Sequence, residues 1–295
     1  MKKQKLILRI LSYIFLTFSS LLMIYPVLYM ATGAFTTNDR FMDAFLLPIP
    51  NTLNIDIFTA YMNGGLGRAY VVTLYRVAWY IFITVGVGLV GGYIFSKMKF
   101  PGKNKVFLLF LSGMVMPGIL MMVPSYLMMA WFPLAGGNNI LGQGGTGFIQ
   151  KWPVLFVGGW VPVFAIFLLK QSFDMLPKEY EDAAKMDGAG MFTIIFRVYM
   201  PLLMPPIVAL IIVTFLGNWN DYLWPAMVIS GNPDWQPIAF RMSQVFISGK
   251  YTPLGTVDYP SNMVRSFIAT WPPAVVYFLL QRYFVQGLVA SGLKG

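Results

Sequence analysis

Six long apolar runs constrain this chain more than any other feature. They occupy residues 6–35, 70–96, 106–132, 153–173, 198–219 and 264–284. Each is about 20 residues or longer, the length an α-helix needs to cross roughly 30 Å of hydrocarbon. A backbone in lipid has to satisfy its polar groups internally, so runs of this kind are expected to be helices. Composition agrees, with 57% hydrophobic and only 11% charged residues, against about 25% charged in a soluble domain. The predicted fold is therefore an all-α membrane protein with six transmembrane helices. Lys2, Lys3 and Lys5 precede the first run, and Ala31-Thr32-Gly33 vaguely suits signal cleavage. The run nevertheless exceeds the roughly 7–15 apolar residues of a signal core, so it is expected to be a retained first span.

The placement of basic residues predicts orientation. Most of the 21 Lys and Arg residues fall on one side: Lys2, Lys3, Lys5 and Arg9, then Lys97, Lys99, Lys103 and Lys105, then Lys170, Lys178, Lys185 and Arg197, and last Arg282 and Lys294. That side, with both termini, is expected to be cytoplasmic. The net charge of +10 is then a topology signal, and no nucleic-acid partner is expected.

Between the fourth and fifth runs lies LPKEYEDAAKMDGAGMFTIIFRVYMPLLMP, residues 176–205. Its first part reads as a short helix over about 177–187. Pro177 suits a first helical position, and Glu179, Glu181 and Asp182 sit near the positive end of the helix dipole. Glu181 and Lys185 stand four apart in the favourable acid-before-base order. Gly188 supplies a residue able to take positive φ and stop the helix. Ala183 and Ala184 leave one face nearly bare for another protein's surface. Pro201, Pro205 and Pro206 follow, where a bend is expected.

The remaining chain sets exclusions. It has no Cys and no His, which removes disulfides, Cys- or His-based catalysis and the usual metal sites, so no catalytic or metal-binding residues are assigned. No acidic residue sits in the middle of a span, as a proton- or sodium-coupled carrier would require. No phosphate-binding G-x-x-x-x-G-K-[ST] motif occurs, so no cofactor is expected on this chain. Methionines of the third run, Met128 and Met129 among them, are expected to fill gaps or face lipid. Trp79, Tyr80, Trp131, Trp152, Trp219 and Trp224 fall near predicted outer boundaries, as interfacial aromatics do. A short interfacial helix is expected over 56–62, a Gly/Asn-rich turn over 136–147, and a long external loop over 218–262. Asn218, Trp219, Asn220, Asp221 and Tyr222 there combine amides with aromatic faces, the chemistry that sugars need.

Asp182-Ala183-Ala184, Asp187-Gly188-Ala189 and Met200-Pro201 fall at matching places of the EAA loop of ABC-importer permease subunits, which the chain resembles. Its Asp182 stands where the usual Glu is, and Glu181 beside it is expected to share its contacts. Phe100-Pro101-Gly102, Met116-Pro117-Gly118, Val123-Pro124, the run from Gly217 to Tyr222, and Gln281-Arg282-Tyr283-Phe284-Val285-Gln286-Gly287 resemble the carbohydrate-importer branch, of the maltose-transporter type. The second span departs from that pattern: Val72-Thr73-Leu74 stands in place of Asn-Ser/Thr-Leu, and Arg76 follows, a residue suited to an anionic sugar.

The resemblance implies a type I importer permease fold in a bacterial or archaeal plasma membrane. It divides the chain into residues 1–69, a five-helix core over 70–284, and a cytoplasmic tail over 285–295. It implies a transport subunit and not an enzyme. The implied partners are a second permease subunit, a dimer of ATPase subunits carrying ATP and Mg, an external solute-binding protein, a sugar substrate and membrane lipid. Glu181, Asp182, Ala183, Ala184, Asp187 and Gly188 are implied to couple to the ATPase. Gly249, Lys250 and Tyr251 are implied to reach the binding protein. An oligosaccharide is the expected solute. A non-sugar ABC permease, or a channel or secondary transporter, remains the alternative.

Overall fold

The computed structural model describes residues 2–50, 55–159, 161–248 and 258–292. Among the described residues the secondary structure is helical, without strands. The chain divides into two compact units, Met1–Gly67 with Met242–Pro272, and Arg68–Arg241 with Pro273–Gly295.

In the first unit, α1 (Lys2–Ala34) is followed by the short helices α2 (Asn38–Asp43) and α3 (Asp56–Tyr61). None of the apolar window of α1 is buried against protein, so lipid or another subunit has to cover it. Aromatic contacts hold the rest. Phe35 stacks on Phe58 with centroids 4.9 Å apart, and Phe41 stacks on Tyr259 at 5.2 Å. Arg265, 2% exposed, donates to the Tyr61 hydroxyl and to Asn262 Oδ1, and lies over the Tyr61 ring at 4.5 Å.

The second unit carries α4 (Gly67–Lys97), α5 (Lys103–Ser112), α6 (Met122–Ala130), α7 (Val163–Asp174) and α8 (Glu179–Met186). After them come α9 (Met191–Leu202), α10 (Met204–Trp219), α11 (Leu223–Val228), α12 (Ile238–Ser248) and α13 (Tyr259–Gly292), the last two extending into residues of the first unit. Small residues let α4 approach α7. A Cβ on Gly88 would stand 3.0 Å from Ala165 Cβ, and one on Gly92 3.0 Å from both Leu169 Cβ and Lys170 N. This is the small-xxx-small packing of membrane helices, in which close backbones gain van der Waals contact. Leu89, Tyr93, Leu169, Phe173, Ile195, Tyr199 and Ile207 form the core around that seam.

Among the described residues three helices are long and apolar enough to cross a membrane: Leu6–Ala34, Phe58–Lys97 and Tyr259–Gln281. The other expected spans are not continuous helices. The run 106–132 breaks between α5 and α6, where Pro117 takes ψ 127° and a 3-10 turn covers Gly118–Met121. Proline lacks the amide donor and disfavours helix at the residue before it. In the run 153–173, a 3-10 turn at Trp152–Leu155 is separated from α7 by Gly158 and Gly159, both with positive φ. The expected bend after residue 200 is present. Met191–Leu202 and Met204–Trp219 meet at 87°, and the second helix opens on Pro205, where a missing N–H costs no bond. The segment 218–262, expected as a loop, instead carries α11, α12 and a 3-10 turn at Pro233–Trp235.

Candidate functional site

Helix α8 is built from its ends. Glu179, Glu181 and Asp182 occupy its first turn and Lys185 its last. At its end Gly188 has φ 79°, its N–H donates to the Lys185 carbonyl at 3.0 Å, and Ala189 N–H donates to the Ala184 carbonyl at 2.9 Å. This pair of bonds is the Schellman arrangement, which needs a left-handed residue where Gly188 stands.

Glu181 and Asp182 point differently. Adjacent helical residues are about 100° apart around the axis, and here one carboxylate is buried and its neighbour exposed. Glu181 Oε1 accepts from the Tyr93 hydroxyl of α4 at 2.9 Å and from Lys185 Nζ at 2.6 Å. Its Oε2 accepts from the Tyr199 hydroxyl of α9 at 3.4 Å. Within this chain the two acids therefore have different surroundings. Burial pushes the Glu181 carboxyl upward. Hydrogen bonds from Lys185 and Tyr93, with the charges of Lys185 and Lys97, outweigh it and hold the group below its ordinary value. The same bond and charge raise Lys185. Lys97 Nζ donates to the Leu176 carbonyl at 2.7 Å, fixing the entry to α8. Asp182, Ala183, Asp187 and Gly188 are exposed, whereas Ala184 packs toward the core. Of the two alanines, only Ala183 belongs to the open face.

The second candidate set centres on a cleft of about 450 Å³ lined by Arg76, Tyr80, Ser125, Met128, Asn218 and Trp224, among others. Arg76 is 3% exposed and its Nη2 donates to Asp221 Oδ2 at 2.5 Å. Asp221 Oδ1 accepts from the Trp224 backbone N–H at 3.2 Å. The indole N–H of Trp224 donates to the Val154 carbonyl at 3.3 Å, which fixes its ring. Arg76 thus has a carboxylate partner within the protein. Asn218 lines the cleft and Asp221 completes the ion pair. Trp219 is buried between Phe215 and Tyr70, while Asn220 and Tyr222 are exposed. Gly249, Lys250 and Tyr251 lie outside the described residues.

Sequence reading missed Tyr93 and Tyr199, the two anchors of Glu181. Their signal was weak, a polar-tipped aromatic in an apolar span. Arg76 carried a stronger one, a lone charge in an apolar run.

Residues 87–289 match the family of binding-protein-dependent transport system inner membrane components. The chain belongs to this family. It is a transport component of the inner membrane, crossing it more than once. Among its relatives, the arabinooligosaccharides transport system permease protein AraQ of Bacillus subtilis (strain 168) is 29% identical over 300 residues, covering 97% of this chain and 96% of the relative. The maltodextrin transport system permease protein MdxG of the same organism is 29% identical over 296 residues, with the same coverage of each chain. The fold is similar to the crystal structure of a bacterial ABC transporter involved in the import of the acidic polysaccharide alginate, with TM-score 0.77 and 18% identity over 94% of this chain and 96% of that one.

Proposed function

We propose that this chain is one of two permease subunits of an ATP-driven importer that takes up an oligosaccharide. In this reading it crosses the membrane six times, counting the broken helices as spans, with both termini in the cytoplasm. Residues 1–69 are the first transmembrane helix and an external loop, 70–284 the five-helix transport core and 285–295 a cytoplasmic tail. ATPase subunits, holding ATP and Mg, dock on α8, and an external binding protein delivers the sugar.

One observation carries this reading. Helix α8 is stopped by Gly188, fixed inward by Glu181, and presents Asp182, Ala183, Asp187 and Gly188 outward. A short helix fixed on one side and open on the other is a lever. A push on its open face passes through Tyr93 and Tyr199 to α4 and α9. An oligosaccharide is favoured because relatives matched over nearly their whole length are named for arabinooligosaccharides and maltodextrin.

The test is a pull-down of the tagged protein from native membranes in mild detergent, with mass spectrometry of its companions. A second permease and a P-loop ATPase are expected. Recovery of the chain alone would defeat the importer reading in favour of an independent channel or carrier.

A further inference from the structure

The cleft around Arg76 has a composition that α8 and its lever do not explain. Its walls come from α4, α6, the Gly158–Gly159 break, α10 and α11. One of these walls, at Gly158–Gly159, is a helix break, the kind of place where membrane transporters expose backbone and side chains to a ligand. At about 450 Å³ it falls within the roughly 300–1,000 Å³ of small-molecule sites.

Its charge is already balanced. The Arg76 guanidinium meets the Asp221 carboxylate at 2.5 Å, so the pair sums to zero. A further carboxylate or ammonium would leave a net charge in a poorly solvated site. Hydrogen-bonding capacity, by contrast, is left over. Arg76 Nε and Nη1 are buried and have no hydrogen-bond partner. The N–H groups of these two nitrogens can take oxygen acceptors, and with the charge already matched by Asp221 neutral oxygens suffice. Ser125 and Asn218, which carry donors and acceptors, line the same cleft, as do Trp224 and Tyr80, whose rings add flat apolar surface. Donors, acceptors and flat apolar surfaces on a neutral site match a sugar ring, which carries hydroxyls at its edge and C–H groups on its faces.

We propose that this cleft is a subsite for an uncharged glycosyl ring, its hydroxyls bound by Arg76, Ser125 and Asn218 and its faces flanked by Trp224 and Tyr80. The inference rests on the sugar-importer reading and narrows its substrate to a neutral sugar. The free nitrogens of Arg76 are shut off from solvent, so the ring reaches them after a side chain turns. Tyr80, with its ring centroid 5.6 Å from the guanidinium carbon, is placed to do so. Gly159 packs close beside it, where a Cβ would stand 3.2 Å from the Tyr80 ring.

The experiment uses the complete transporter, purified with its ATPase and binding protein and reconstituted in proteoliposomes. Uptake of uncharged trisaccharides (maltotriose, xylotriose, arabinotriose) is compared with uptake of trigalacturonate at saturating binding protein. The native complex is expected to take up an uncharged trisaccharide and to reject trigalacturonate. Met128→Trp fills the cleft from an exposed position and is expected to slow uptake about tenfold or more. Asp221→Asn, which frees the Arg76 charge, is expected to lower uncharged uptake and raise the share of trigalacturonate. Co-purification of the ATPase reports that each variant has folded. Native preference for trigalacturonate, or full uptake by a folded Met128→Trp, would overturn the subsite. A native complex that hydrolyses ATP in response to its binding protein but moves none of these sugars would overturn the sugar reading itself.

Discussion

Glu181 bonds to Lys185 within α8, to Tyr93 on α4 and to Tyr199 on α9. Its carboxyl is held below the ordinary value of 4.5. It therefore adds stability that is fully present above that pH and is lost as pH falls through the lower folded value. Glu181→Gln is expected to cost about 1–3 kcal/mol at neutral pH, the price of leaving buried hydroxyls poorly matched. Thermal unfolding of the detergent-solubilised complex should show this gap between native and variant at pH 7, and show it closing in acid. A gap of the same size at every pH would mean that ionised Glu181 is not the anchor. The pairing with Lys185 is legible in the sequence because it is local, four residues along one helix. The tyrosines lie 88 and 18 residues away, and no spacing rule reaches them.

At the scale of elements, local chemistry again marks what can be foreseen. The stop of α8 follows from Gly188, and the bend between α9 and α10 follows from the prolines around it. Span continuity does not follow, because hydropathy reports which residues tolerate lipid and not whether the backbone stays helical among them. Thus 106–132 and 153–173 are apolar throughout yet break at Pro117 and at Gly158–Gly159. The segment from Asn218 onward was hidden for the opposite reason, since its helices are too short to give a clear period. The seam between α4 and α7 gives a further prediction. Gly92→Leu puts a side chain where even a Cβ meets Leu169 and the Lys170 backbone at 3.0 Å. Overpacking of this kind costs about 1–3 kcal/mol, more where backbone has to move. The variant is expected to be recovered from membranes in lower yield and to unfold at lower temperature. Native-like unfolding would show that the seam is loose.

For the whole molecule, the outward face of α8 is where force from a partner would enter. Asp182 is exposed, so Asp182→Lys is expected to leave insertion and folding intact while abolishing ATP-coupled uptake. Gly188→Val forces a β-branched residue into φ 79°, a strain of about 1–3 kcal/mol, and is expected to lose coupling through a frayed helix end. Normal uptake by either variant, in vesicles holding the native amount of protein, would remove α8 from the role of lever.

The Arg76–Asp221 pair has an electrical consequence. A single charge carried through the membrane field does work of about 2.3 kcal/mol for each 100 mV, so an unpaired Arg76 would make any motion of its helix sensitive to voltage. A closed ion pair moving as a unit does almost no such work. With an uncharged sugar beside it, this wall of the passage would change shape at the same rate in an energised cell and a depolarised one. A potassium diffusion potential imposed on proteoliposomes should therefore leave uptake unchanged in the native complex and alter it in Asp221→Asn.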